Sequence, residues 1–280
     1  MFSLKKSLPI FAIMAIAMTV LITACKQDTV QTVMTDAQST AIAERTIKAS
    51  QFFTNSFAQS TFASTKANGL KEEDRNPLEV RGACADPTVV PNDFFTFPKV
   101  VTINYGNGCT DDLGRNKSGK MTLNVGKFWE AGSVITANFE NFMEDSTKLN
   151  GSYTFTNNST LTTIDHVFVA QNILFTDKTG NTTTYAINQR HKQIGGIGTF
   201  TPRDDVFEIS TTVTSKLADN TLVSWQNTTP LIKKNNCRWI QKGTGTIKVN
   251  NETSIIDFGT DTCDDDATLT TNGVARNIKL

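Results

Sequence analysis

The stretch Val100–Val125, "VVTINYGNGCTDDLGRNKSGKMTLNV", decides the fold class. Val101, Ile103 and Tyr105 alternate with Thr102 and Asn104, and Met121, Leu123 and Val125 alternate likewise. A period of two places every apolar side chain on one face of an extended chain. The Gly, Asn and Asp residues between the two runs are those that turn a backbone, so the stretch reads as two antiparallel strands. The same period returns at Ile135, Ala137 and Phe139, at Tyr153 and Phe155, at Phe207, Ile209 and Val213, at Ile247 and Val249, and at Ile278 and Leu280. "NNST", "DKTGN", "ADN", "VNNET" and "TTNG" mark turns between such runs, and the connections are too short for parallel crossovers. The chain also holds 43 Thr and 24 Asn, which favour strands and turns respectively. Residues 84–280 are therefore expected to form a mainly β domain. Its form would be an antiparallel sandwich, roll or curved meander of roughly ten to twelve strands.

What precedes that domain is of another kind. Lys5 and Lys6 stand before Leu8–Ala24, "LPIFAIMAIAMTVLITA", an apolar run of the length and position of a secretory signal core. It ends in "LITAC", where Ala24 before Cys25 resembles the bacterial lipobox. The reading is a lipoprotein signal peptide over 1–24, lipidation of Cys25 and a membrane tether over 25–35. The partner this implies is the membrane, reached through an N-terminal lipid anchor, and the location is the bacterial envelope, as an outer membrane lipoprotein facing the periplasm or the surface. Loss of residues 1–24 leaves 25 basic against 27 acidic residues, a net charge of −2, which gives no electrostatic reason to expect nucleic acid. A helix is expected over 36–68. Thr35 and Gln38 fit a capping box, Ile42, Ala49, Phe53 and Phe57 mark one apolar face, and Asn68-Gly69 ends it. "LKEEDRNPLEVRG" reads as a linker over 69–83.

Part of the opening stretch is written twice. "TINYGNGCTDD" from Thr102 and "SIIDFGTDTCDDD" from Ser254 both run through Ile, Asn or Asp, an aromatic residue, Gly, Cys and then acids. Cys84 precedes the first Cys by 25 residues and Cys237 precedes the second by 26. Each interval holds two strand-like runs. Residues 84–126 and 237–280 thus read as a weak internal repeat. Of the three pairings open to four thiols, the spacing favours disulfides Cys84–Cys109 and Cys237–Cys263, which an oxidising compartment allows. Gly106 and Gly259 would allow a bulge or a positive φ where the strand ends, with Tyr105 and Phe258 turned inward. Asp111, Asp112 and Asp264 to Asp266 read as solvated turn acids, because the spacing of a calcium loop is absent. No close Cys or His pair suggests zinc, so neither cofactor nor metal is expected.

Little in the sequence points to catalysis. There are two histidines: His166 in an apolar run, and His191 in "NQRHKQIGG", which reads as a turn-like basic stretch. No nucleophile elbow is present. "QIGGIGTF" lacks the Lys and the helix of a phosphate loop. Phe128 and Trp129, beside Lys127 in "GKFWEAG", are the candidate ligand-binding aromatics, while Trp225 and Trp239 are read within strands. The expectation is a non-enzymatic binding or structural module with a glycan or protein ligand. The alternative is an envelope hydrolase using paired carboxylates in a cleft of the β domain.

"FPKVVTINYGNGCTDDLGRNKSGKM", "GSVITANFENF", "LNGSYTFTN", "CRWIQKGTGTI" and "IIDFGTDTCDDDATLTTNG" resemble a family of uncharacterised β-rich lipoproteins of Bacteroidetes. The likeness runs from Cys84 to Leu280 and includes the start at Cys25. It implies secretion, acylation and a β-rich body, and it brings no catalytic residues.

Overall fold

The computed structural model describes residues 35–67, 84–199 and 202–280. Cys25, the signal and tether segments before Thr35, the helix stop at Asn68-Gly69 and the linker over 69–83 lie outside them. The order is one helix, α1 (Asp36–Ala67), followed by fourteen strands. The first eight are β1 (Pro87–Val90), β2 (Lys99–Thr110), β3 (Asn116–Val125), β4 (Val134–Glu144), β5 (Thr147–Asn157), β6 (Asp165–Thr176), β7 (Thr182–Gly195) and β8 (Val206–Lys216). Then come β9 (Leu222–Asn227), β10 (Leu231–Lys234), β11 (Lys242–Val249), β12 (Glu252–Thr260), β13 (Asp266–Thr271) and β14 (Val274–Lys279).

All fourteen strands belong to one antiparallel sheet in which each strand lies beside its sequence neighbour. The one irregularity is between β8 and β11, where β9 and β10 share a single place. β10 pairs with the start of β8, at Val206 to Ile209, and β9 with its end, at Thr212 to Lys216. Pro230 separates the two pieces and has no N–H to give a ladder. Of the three forms left open by the alternation, the structure takes the curved meander. It has fourteen strands instead of ten to twelve. Among the strands that the alternation did not pick out is β7, whose second half, "NQRHKQIG", is polar on its inner face.

The sheet curls around α1. Phe53 packs on Tyr153 and Phe168, Phe57 on Phe155 and Phe207, and Ser39, near the helix start, donates to Glu252 Oε2 at 2.5 Å. The helix begins as its sequence requires. Thr35 N donates to Gln38 Oε1 at 2.9 Å and Gln38 N to Thr35 Oγ1 at 3.3 Å, the reciprocal bonds of a capping box. Its middle departs from the expectation of one apolar face. Every residue from Ala49 to Phe57 is buried, Ser50, Gln51, Thr54, Asn55 and Ser56 included. Burying hydroxyls is tolerable here because most of them bond within the helix. Thr46 donates to Ile42 O, Thr54 to Ser50 O, Ser60 to Ser56 O and Ser64 to Ser60 O. The backbone thus satisfies side chains that would otherwise cost about 1–3 kcal/mol each when unpaired in the interior. Gln189 on β7 completes the join. Its Nε2 donates to Ser50 O at 3.0 Å and to Thr211 Oγ1 at 3.2 Å, tying helix to sheet.

Candidate functional site: a cleft at the strand ends

The twin phrases are staples. Cys84–Cys109 and Cys237–Cys263 are both bonded, each with a Cα–Cα separation of 5.8 Å. Asn104 Oδ1 accepts from Gly106 N at 3.0 Å, and Asp257 Oδ1 from Gly259 N at 2.9 Å. The two glycines have φ of +56° and +85°, and Tyr105 and Phe258 are buried. The shared spelling therefore encodes one device: a side-chain acceptor bends the strand at a glycine, so that the next Cys can reach the segment before the hairpin.

The second staple holds the segment between β10 and β11, which carries Arg238 and Trp239. Trp239 lies in a bend there, not in a strand. Arg238 rests over the Trp239 ring at 4.4 Å, donates to Gly114 O at 3.2 Å and pairs with Asp145. It thereby joins the β10–β11 segment to the β2–β3 and β4–β5 turns. Opening Cys237–Cys263 by double serine replacement is expected to cost about 3.5 kcal/mol from the loop length alone. The loss would appear as a lowered urea midpoint, and a midpoint equal to wild type would refute it.

Between this segment, the first half of α1 and the turns after β4 and β6 lies a cleft of about 440 Å³. Its floor is apolar, made by Phe52, Leu149 and Phe175. Phe52 meets Phe175 edge-on at 5.7 Å and belongs to the core cluster with Phe139 and Phe142. Its mouth is polar. Glu44, Arg45 and Lys48 of α1 face Asp145, Asp177, Asn181 and Arg238. Asn55 lines it too, and the buried Oδ1 of that residue has no hydrogen-bond partner. Asp177 is clasped by Thr179 and Asn181 and stands 3.5 Å from Arg45. The Thr179 hydroxyl, followed by Asn181, holds its carboxyl down to about 2.

Glu144 lines the cleft from behind and opens onto a buried ionic cluster. Lys117 Nζ lies 3.7 Å from Glu144 Oε2 and 3.0 Å from Asp111 Oδ2, which also accepts from Arg115 Nε at 2.7 Å. Asp111 is therefore not a solvated turn acid. Burial alone would raise its pKa, and Arg115 with Lys117 more than reverses that, so the carboxyl sits below its ordinary range. The other acids stay at the surface or nearer to it: Asp265 and Asp266 each pair with Lys279 at 2.7 Å. Among the described residues no three His, Cys, Asp or Glu side chains gather as metal ligands would.

The remaining sequence candidates lie elsewhere. Phe128 is half-buried, its ring parallel to His166 at 5.8 Å, while Trp129 beside it is exposed. Neither lines the cleft. His191 is not in a turn. It lies on β7 directly opposite His166 on β6, and both rings pack against Phe57. Sequence reasoning also missed Lys233, whose buried ammonium donates to Cys237 O beside the staple. Burial, with Arg115 adding repulsion, pushes it down to about 7. The cleft itself had no sequence signal, because its walls come from five separate segments.

Comparison with protein-family models, with curated proteins and with solved structures finds no match for this chain.

Proposed function

We propose that this chain is a lipid-anchored protein of the bacterial envelope that binds a small ligand with an apolar body in the cleft, without chemistry of its own. The observation that carries this reading is the cleft: about 440 Å³, within the range of small-molecule sites, with an apolar floor and a polar mouth. The phenylalanine floor would take the ligand's apolar body. The Arg238–Trp239 pair, fixed by the neighbouring staple, gives the site a wall with little freedom to lose on binding. The cleft's acids favour binding over hydrolysis. A paired-carboxylate hydrolase needs one carboxyl held protonated near neutral pH. Here Asp177, one of the four acids that line the cleft, is driven the other way. The envelope part of the reading rests on the apolar run Leu8–Ala24 and on Cys25. It is compatible with the absence, among the described residues, of any helix long and apolar enough to cross a membrane.

The test is a panel of a long-chain fatty acid, an alkyl glycoside, an aromatic glycoside and plain oligosaccharides, followed by calorimetry and thermal shift. One amphiphile is expected to saturate at one per chain, adding about 2.7 kcal/mol of stability at a hundred times its Kd. Ala41→Trp, at an exposed position on the cleft mouth, should weaken that binding at least tenfold with Tm unchanged. Saturation by oligosaccharides alone, or equal affinity in the Ala41→Trp protein, would overturn the assignment.

A further inference from the structure

Most polar side chains around the cleft already have partners. One oxygen of Asp177 accepts from Thr179 N, Thr179 Oγ1 and Asn181 N, and the other accepts from Asn181 Nδ2 and faces Arg45. Asp145 accepts from Asn116 N at 3.0 Å and pairs with Arg238. Gln51 Nε2 donates to Arg238 O at 3.4 Å. Two side chains differ. Glu144 and Asn55 are only 8% and 6% exposed, and both line the cleft. Among the described residues no donor reaches the carboxylate of Glu144: Lys117 Nζ stands 3.7 Å from its Oε2, beyond hydrogen-bond reach. Asn55 Oδ1 has no partner either. Buried polar groups are normally hydrogen-bonded, so two that are not, on the wall of one cleft, point to a ligand that supplies the missing bonds.

The charges narrow the choice of ligand. Arg45 faces Asp177, Arg238 faces Asp145 and Lys117 faces Glu144. Glu44 and Lys48 stand one turn apart on α1, the spacing at which opposite charges offset one another. A carboxylate head would enter beside three acids, and an ammonium head beside the cations that balance them. Either would give up its hydration without meeting a free counterion. An uncharged head avoids that cost. It must carry a donor, because an ionised carboxylate only accepts. A hydroxyl donates and accepts, so it also suits the amide of Asn55. The position of Glu144 fits this role. The register sets it opposite Thr147, two residues before the floor residue Leu149, so a body lying on Phe52, Leu149 and Phe175 ends beside it.

We infer that the cleft selects an uncharged amphiphile whose hydroxyl donates to Glu144 at the edge of the apolar floor, an inference that rests on the binding reading above. Asn55, on the buried side of the cleft, is the second polar group this ligand meets.

The test ranks four probes that share one apolar body: octanol, octyl methyl ether, octanoate and octylammonium. Their affinities are measured by calorimetry on the full chain at neutral pH. Octanol is expected to bind at least tenfold tighter than each of the others, because a hydrogen bond to a charged acceptor is a strong one. Glu144→Gln keeps the shape of the side chain and removes its charge. It should cut the advantage of octanol over the ether at least threefold and leave the affinity of the ether unchanged, whereas a purely structural role for Glu144 would lower both affinities together and count against the inference. The ranking in the unaltered chain decides the matter even if this variant fails to fold. An ether that binds as tightly as octanol would overturn the donated hydrogen bond, and octanoate or octylammonium ahead of octanol would overturn the uncharged head. In both cases the binding reading stands, provided that Ala41→Trp weakens the probe that binds. Saturation by none of the four, or binding untouched by Ala41→Trp, would remove that reading and this inference with it.

Discussion

Lowering the pH from 6.5 to 4 is expected to remove on the order of 6 kcal/mol of folding stability, through two histidines. His166 and His191 face each other across β6 and β7 and enclose Phe57. Burial holds His166 down to about 4, partly opposed by Asp165. Burial likewise holds His191 down to about 3, with repulsion from His166 and Lys233 adding to it. Above pH 6.5 both rings are neutral in the folded and the unfolded chain, so neither contributes a slope. Below 6.5 the unfolded chain takes up protons that the folded chain refuses, and each ring costs about 1.4 kcal/mol per pH unit. The loss from His166 levels off near pH 4 and that from His191 near pH 3. The window between 6.5 and 4 belongs to the histidines: Lys233, at about 7 when folded, is charged in both states there, and carboxylates begin to lose charge only towards its lower end. Urea melts at half-unit intervals of pH would measure the slope. A His166→Phe, His191→Phe protein should be nearly flat from pH 6.5 to about 5 whatever its absolute stability, and below that carboxylates held low in the fold, such as Asp111 and Asp177, add a slope of their own. An unchanged slope in that variant would show that the protons are taken up elsewhere.

Asp111→Asn should cost about 3–5 kcal/mol at neutral pH, the usual effect of removing one partner from a buried ionic group. The amide keeps the shape of the side chain and can still accept from Leu113 N and Arg115 N, which the carboxylate now does at 3.0 and 2.9 Å. It cannot balance Arg115 and Lys117, both of which are buried. Glu144, 3.7 Å from Lys117, is then left to balance two cations. The effect should reach the cleft as well, since Glu144 lines it and Arg238 leans on the Gly114 carbonyl of the same turn. Chemical denaturation of the variant checks the first expectation, and the affinity of any amphiphile found for the cleft checks the second. A loss below about 1 kcal/mol would mean that Arg115 and Lys117 find water or other acceptors, and that the cluster is not closed.

The parts of this fold legible in the sequence are those in which one segment carries its own signal. The strands around Val101, Met121, Ile135, Tyr153 and Phe207 announced themselves through alternation, and the helix start through Thr35 and Gln38. Tyr185 and Ile187 are buried in the first half of β7, but its second half was hidden because its inward residues, Gln189, His191 and Gln193, are as polar as its outward ones. They face a helix whose own buried face carries Ser50 and Thr54. Asp111 was misread for a related reason. An acid after a strand is normally solvated, and only the arrival of Lys117 from β3 and Glu144 from β4 encloses it.

The sequence by itself determined the antiparallel class, the helix cap and the bent Asn/Asp–aromatic–Gly device beside each staple, because each depends on side chains within a few residues of one another. The enclosure of α1, the ionic cluster and the cleft were decided only by the tertiary structure. Each is made by side chains from distant segments that meet once fourteen strands curl about a helix, and no local pattern of residues records the curvature that brings them together.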